Sequence, residues 1–150
     1  MPRPATARSR VSALAVLLVT VFGVVGAAAP ADAGSWRSRV PAEASKHKGA
    51  PYKYGASGPS RFDCSGYTMY VYKRFGKSLP HNAAAQYSRM HHFAKNQKVP
   101  GDLLFFRNSS GRIGHVAIYA GNGNMWHSPH SGTVVKLVKI YNGNYLVGRL

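Results

Sequence analysis

Apolar positions fall into three successive patterns along the chain. A mainly apolar stretch runs from Val11 to Gly26. In the middle, Tyr67, Tyr70, Val71 and Phe75 recur at three- and four-residue spacing, which predicts a helix over 64–75 with one apolar face. Gly76 follows where a left-handed C-cap is wanted. Shorter helices are predicted over 41–48, with Pro41 in its first turn and Gly49 at its end, and over 82–89. Between them, Gly55 to Phe62 is dense in turn formers and reads as a loop. From Gly101 onward the pattern becomes short runs of β-branched and aromatic residues parted by Gly/Asn turns, predicting strands over 102–106, 115–120, 125–128, 134–140 and 145–149. Helices first and antiparallel strands second predict an α+β domain.

The first stretch has a different meaning. Arg3, Arg8 and Arg10 precede it with no acidic residue among them, and Ala31-Asp32-Ala33 follows with small residues at the two positions a signal peptidase reads. Residues 1–33 are therefore expected to be an export signal, 34–40 a flexible lead and 41–150 one domain. The competing reading, a retained membrane anchor, is weakened by Ser12, Thr20 and Gly23, since a spanning helix wants about 20 strongly apolar residues. A secreted or wall-associated protein without a stable membrane anchor is the expectation.

Charge narrows the partners. Twenty Lys and Arg stand against four Asp and Glu in 150 residues, and such an excess favours adhesion to polyanions. Nothing resembles a nucleic-acid-binding motif, and export removes the chain from nucleic acid. Phosphate-bearing anionic wall polymers and anionic membrane surfaces are the expected partners, with a charge kept only for solubility as the plain alternative.

Cys64 is the single cysteine, so it has no intramolecular disulfide partner, and an unpaired thiol in an exported chain is a candidate nucleophile. It stands between a turn-rich loop and an apolar-faced helix. At a helix N-terminus the free N–H groups and the dipole favour a thiolate and can hold an oxyanion. A thiol nucleophile needs a base. Of seven histidines, His47, His91 and His92 lie in polar, Lys-rich surroundings and carry no signal, whereas His115 opens an apolar strand after a glycine-rich turn. The next strand offers His127 and His130. A two-residue Asn122-Gly123 turn pairs 115 with 130, while a three-residue loop with a glycine bulge pairs 117 with 127 and puts His127 on the face of His115. Spacing alone leaves the two competing. The histidines lack a Cys- or carboxylate-rich set at metal spacing, so neither a metal nor another cofactor is expected. A His-dependent step predicts activity that falls within pH 5–8 as the base protonates.

Five blocks then stand in order: Pro51-Tyr52-Lys53-Tyr54-Gly55, Phe62-Asp63-Cys64-Ser65-Gly66, Pro100-Gly101-Asp102-Leu103-Leu104-Phe105-Phe106, His115-Val116-Ala117-Ile118-Tyr119 and Met125-Trp126-His127-Ser128. Together they resemble the NlpC/P60 family of cysteine peptidases. The resemblance implies a papain-like fold, with the cysteine-bearing helix packed on an antiparallel sheet. It also implies hydrolysis of peptidoglycan stem peptides, commonly at a γ-D-glutamyl to diamino acid bond. On the matching positions it implies Cys64 as nucleophile, His115 as general base and acid, and His127 as the group that orients His115. It makes Tyr52 an oxyanion aid, and Asp63 and Ser65 contacts for the substrate's free amino terminus. Read from sequence alone, Tyr52 also suits a packed loop aromatic and Asp63 a helix cap. The chain departs from the family pattern at Tyr54-Gly55-Ala56, where Trp-Gly-Gly is frequent, and at Ala117, where Gly is. Two other readings compete with a monomeric endopeptidase: an N-acetylmuramoyl-L-alanine amidase, and a non-catalytic basic wall-binding protein on the same fold. A secreted antibacterial effector would use identical chemistry.

Overall fold

The computed structural model describes residues 35–150, and the expected signal over 1–33 lies outside them. The elements follow in the order α1 (Val40–Ser45), α2 (Cys64–Lys73), α3 (Ala83–Ser88), β1 (His91–Phe93), β2 (Leu103–Arg107), β3 (Ile113–Gly121), β4 (Asn124–His127), β5 (Lys136–Lys139) and β6 (Tyr145–Arg149). All six strands form one antiparallel sheet in the order β1-β6-β2-β3-β4-β5. The fold is the α+β, papain-like arrangement expected, with helices preceding the sheet.

Helix α2 owes its start to Asp63, whose carboxylate accepts the Gly66 N–H at 2.7 Å and so satisfies one of the free donors of the first turn. It stops where Gly76 takes φ +71° and the Lys77 N–H reaches back to the Tyr72 carbonyl at 3.1 Å. Tyr67, Val71 and Tyr72 are fully buried along its inner face. Their apolar bodies join Leu103, Phe105, Val116 and Ile118 of the sheet in one core. Each phenol finds a carbonyl, Tyr67 on Ala44 at 2.8 Å and Tyr72 on Gly101 at 2.6 Å, so neither buried hydroxyl is left unpaired. Leu104, Phe106, Ala117, Tyr119, Met125, Tyr145 and Val147 form a second cluster on the other face of the sheet.

Three departures from the predicted elements have physical causes. Trp36–Arg39, expected in a flexible lead, is a 3-10 helix. Trp36 packs edge-on against Tyr72 with ring centroids 5.3 Å apart, giving this segment an aromatic anchor. Strand β1 was not predicted, because its residues His91, His92 and Phe93 are too few and too polar to alternate visibly. Its register against β6 supplies the order. The run over 134–140 contracts to Lys136–Lys139, because the first of those residues turns to bridge Pro51 instead.

The β3–β4 hairpin combines the two loop types weighed above. Asn122 and Gly123 have φ of 52° and 74°, the mirror-image geometry of a two-residue turn, and Gly121 pairs with Asn124. A bulge then absorbs Ala120, so that Tyr119 faces Met125 and Ile118 faces Trp126. That shift places Ile118 and Trp126 in the helix-facing core and Tyr119 and Met125 in the opposite cluster. It also puts His115 and His127 on one face, since side chains two apart share a side.

Candidate active site

Backbone geometry brings Cys64 to the sheet. The preceding loop is folded back on itself, with Phe62 bridged to both Tyr52 and Ser57 and fully buried. The Phe62 carbonyl accepts the Ser128 hydroxyl at 2.9 Å. This bond ties the residue after His127 to the residue two before Cys64, and it fixes the imidazole-bearing strand against the start of α2. At Gly66 the helix lies so close to the loop that a Cβ would come within 2.1 Å of the Ala56 carbonyl oxygen. Ala56, where the family pattern differs, contributes that carbonyl, which also accepts the Asp63 N–H at 2.9 Å.

Cys64, His115 and His127 line one cavity of about 640 Å³ together with Tyr52, His130, Lys136 and Tyr141. The ring nitrogens His115 Nε2 and His127 Nδ1 are 3.0 Å apart. His130, the competitor of His127, lies at the cavity edge with Nδ1 on the Ser131 carbonyl at 3.0 Å and makes no bond to His115. With Nε2 of His115 engaged, Nδ1 is the ring nitrogen left to exchange a proton with a thiol. That role requires Nε2–H of His115 to donate to His127 Nδ1, which puts the His127 proton on Nε2. This Nε2 is buried and has no partner among the described residues.

Burial dominates the electrostatics. It holds His115 at about 4, helped by the neighbouring charges of His127 and His130, and His127 at about 4, helped by Lys136 and His130. Burial also raises the Cys64 thiol above its ordinary value. N–H groups of Val116, Ser65 and Cys64 itself pull the thiol down, while the Asp63 carboxylate raises it further. Desolvation thus opposes the N–H groups at the helix start, which themselves act in the direction expected from the sequence.

A second cavity of about 310 Å³ adjoins the first and shares Tyr52, Cys64 and Gly114 with it. Asp63, Ser65, Tyr54 and His81 line it. Asp63 is buried and accepts from the Gly55 N–H at 2.9 Å and the Gly66 N–H at 2.7 Å, and His81 Nε2 lies 2.8 Å from its Oδ1. The Ser65 hydroxyl reaches it only at 3.5 Å, a weak bond. Ser65 is instead held through its carbonyl by Gln86 Nε2 at 2.9 Å and Thr68 Oγ1 at 3.0 Å. Tyr52 is shared by both cavities, and burial together with the nearby Cys64 and Asp63 raises its phenol, keeping it a donor. His81 and Tyr141 were not singled out from sequence. The only sequence signal for His81 is its place at the mouth of α3, just before the Asn82 cap.

The pattern that defines the NlpC/P60 family matches residues 49–148. The probable endopeptidase p60 of Listeria monocytogenes is 48% identical over 110 residues, which span 71% of this chain and 22% of that protein. The gamma-D-glutamyl-L-lysine dipeptidyl-peptidase of Bacillus cereus is 34% identical over 100 residues, 65% of this chain and 30% of that one. This chain thus spans under a third of the length of these curated relatives. Among solved structures, the NlpC/p60 domain of the peptidoglycan hydrolase SagA superposes with a TM-score of 0.69 at 35% identity, over 76% of this chain and 98% of that one. NlpC1 from Trichomonas vaginalis superposes at 0.72 with 28% identity, over 80% and 46%.

Proposed function

The chain belongs to the NlpC/P60 family of cysteine peptidases, and we propose that it is a secreted peptidoglycan endopeptidase that hydrolyses stem peptides at a γ-D-glutamyl to diamino acid bond. The observation that carries this reading is the 3.0 Å His115–His127 bond opening on the cavity that also holds Cys64. Names of relatives supply the substrate: an endopeptidase, a peptidoglycan hydrolase, and a peptidase whose name specifies the γ-D-glutamyl linkage.

In this mechanism Nδ1 of His115 takes the Cys64 proton as sulfur attacks the scissile carbonyl carbon. The oxyanion so formed is met by N–H groups at the start of α2 and by the Tyr52 phenol. His115 then returns the proton to the leaving amine as the C–N bond breaks, leaving a thioester on Cys64. Water attacks that thioester, gives its proton to His115, and the acid departs as the thiol is restored. His127 orients His115 through Nδ1, the part played by the third member of a triad. Asp63, with Ser65 beside it, holds the ammonium group of a trimmed stem peptide, which favours an endopeptidase over an amidase acting at the sugar.

The test is mass spectrometry of wall fragments incubated with the purified protein and with Cys64→Ala. New fragments beginning at the diamino acid, made only with Cys64 present, are the expected result. Fragments released at the sugar-linked alanine would make the protein an amidase, and wall binding without cleavage would make it a binding module.

A further inference from the structure

The two cavities that meet at Cys64 are opposite in charge. On one side stands the buried carboxylate of Asp63. On the other stand Lys136 and His130, with the phenol of Tyr141. Lys136 pairs in register with His127 across β4 and β5, so its ammonium group belongs to the wall beside the imidazole pair. Tyr141 is stacked on Phe106 at 5.0 Å while remaining 57% exposed, which presents a fixed aromatic face to the same space.

Nothing else in the described residues neutralises this wall. They contain three carboxylate side chains, and each is already engaged: Glu43 with Lys46 at 2.6 Å and Arg74 at 3.4 Å, Asp63 with His81, and Asp102 with Arg149 at 2.7 Å. Lys136 and Lys139 form no ion pair among the described residues. An ammonium group and an aromatic face beside an open cavity are suited to a carboxylate carried on a short aliphatic chain.

Resting on the reading above, we propose that Lys136 binds a free carboxylate on the leaving portion of the stem peptide. An amine end on Asp63 and a carboxylate end on Lys136 fix the direction of the peptide across the thiol. The carboxylate has two possible sources: the side chain of a diamino acid that bears its own carboxyl group, as diaminopimelate does and lysine does not, or the terminal carboxylate of the residue that follows.

The experiment compares tetrapeptides of the form L-Ala-γ-D-Glu-X-D-Ala. X is diaminopimelate, its side-chain amide, or lysine, and each peptide is made with a free or amidated C-terminus. The expected result is a kcat/KM higher by about tenfold for the peptide bearing the recognised carboxylate, the scale of one charge-assisted hydrogen bond, expressed mainly in KM. That ratio should fall towards one in Lys136→Gln. It should persist in Lys73→Gln, the same charge change at the far end of α2. A preference that follows the side-chain carboxylate assigns the first source, and one that follows the terminus assigns the second. Equal Cys64-dependent cleavage of all the peptides, or a preference unchanged in Lys136→Gln, overturns the inference and leaves the endopeptidase reading standing. Cleavage of none overturns both.

Discussion

His81 Nε2 lies 2.8 Å from Oδ1 of Asp63, the carboxylate that begins the thiol-bearing helix. Asp63 therefore has two tasks at once: Oδ1 caps α2 through Gly66, while Oδ2 accepts Gly55 and holds the loop above the smaller cavity. His81 is the side chain that keeps this carboxylate facing the substrate space. We predict that His81→Ala raises KM for peptides with a free amino terminus several-fold and leaves N-acetylated peptides unaffected. Equal loss on both peptide types would show that His81 serves only the fold.

Removing the imidazole behind His115 should act on turnover. Without His127, the Nε2–H of His115 loses its acceptor and the ring its fixed tautomer. His127→Ala is expected to lower kcat by roughly 10²-fold with little change in KM, within the range for general acid–base groups. His127→Asn, which keeps an acceptor, should recover part of that loss. A KM effect of similar size to the kcat effect would count against an orienting role.

The pH profile follows from burial. His115 is held at about 4, so the base stays neutral until the pH approaches that value. The acid limb of kcat/KM should therefore fall near pH 4, below the pH 5–8 range that an exposed histidine would give. Stability carries the same sign. The folded imidazoles of His115 and His127 bind fewer protons than the unfolded ones between about 4 and the ordinary histidine value of 6.5. Stability is therefore complete above 6.5 and is lost as pH falls through that window. An acid limb centred at pH 6 to 7 would contradict the buried, neutral pair.

Gly66 has no room for a methyl group, because the Ala56 carbonyl would lie 2.1 Å away and cannot swing aside as a side chain end does. Gly66→Ala should cost about 1–3 kcal/mol in urea unfolding, the scale of overpacking. It should also slow Cys64-dependent turnover in the protein that remains folded. Retained stability and rate would mean that the loop over 55–58 yields easily.

The sequence made some of this legible and hid the rest for identifiable reasons. Helix α2 was readable because Asp63, Tyr67, Val71 and Gly76 give a cap, a stripe and a stop in the right places. The partner of His115 was not readable from spacing, since Met125 and Trp126 are both apolar and either register buries one of them well. Only the bulge at Ala120, which the two-period pattern cannot show, decides the face. The desolvation that raises the Cys64 thiol was hidden because a helix N-terminus can be read along the chain, whereas burial by distant strands cannot. His81 escaped notice for a related reason: its partner Asp63 is 18 residues away.

Strand β5 is the last in the sheet, so one of its sides has no neighbouring strand. Natural sheets commonly keep such an edge from joining another molecule by placing lysines on it. Lys136 and Lys139 occupy this strand, with exposed Leu137 between them and Val138. The charge of Lys136 on the cavity side thus also guards against self-association, as that of Lys139 does from the opposite face. A lineage that neutralised Lys136 to accept an uncharged leaving group would weaken both at once. Its substrate range and its solubility would have to change together.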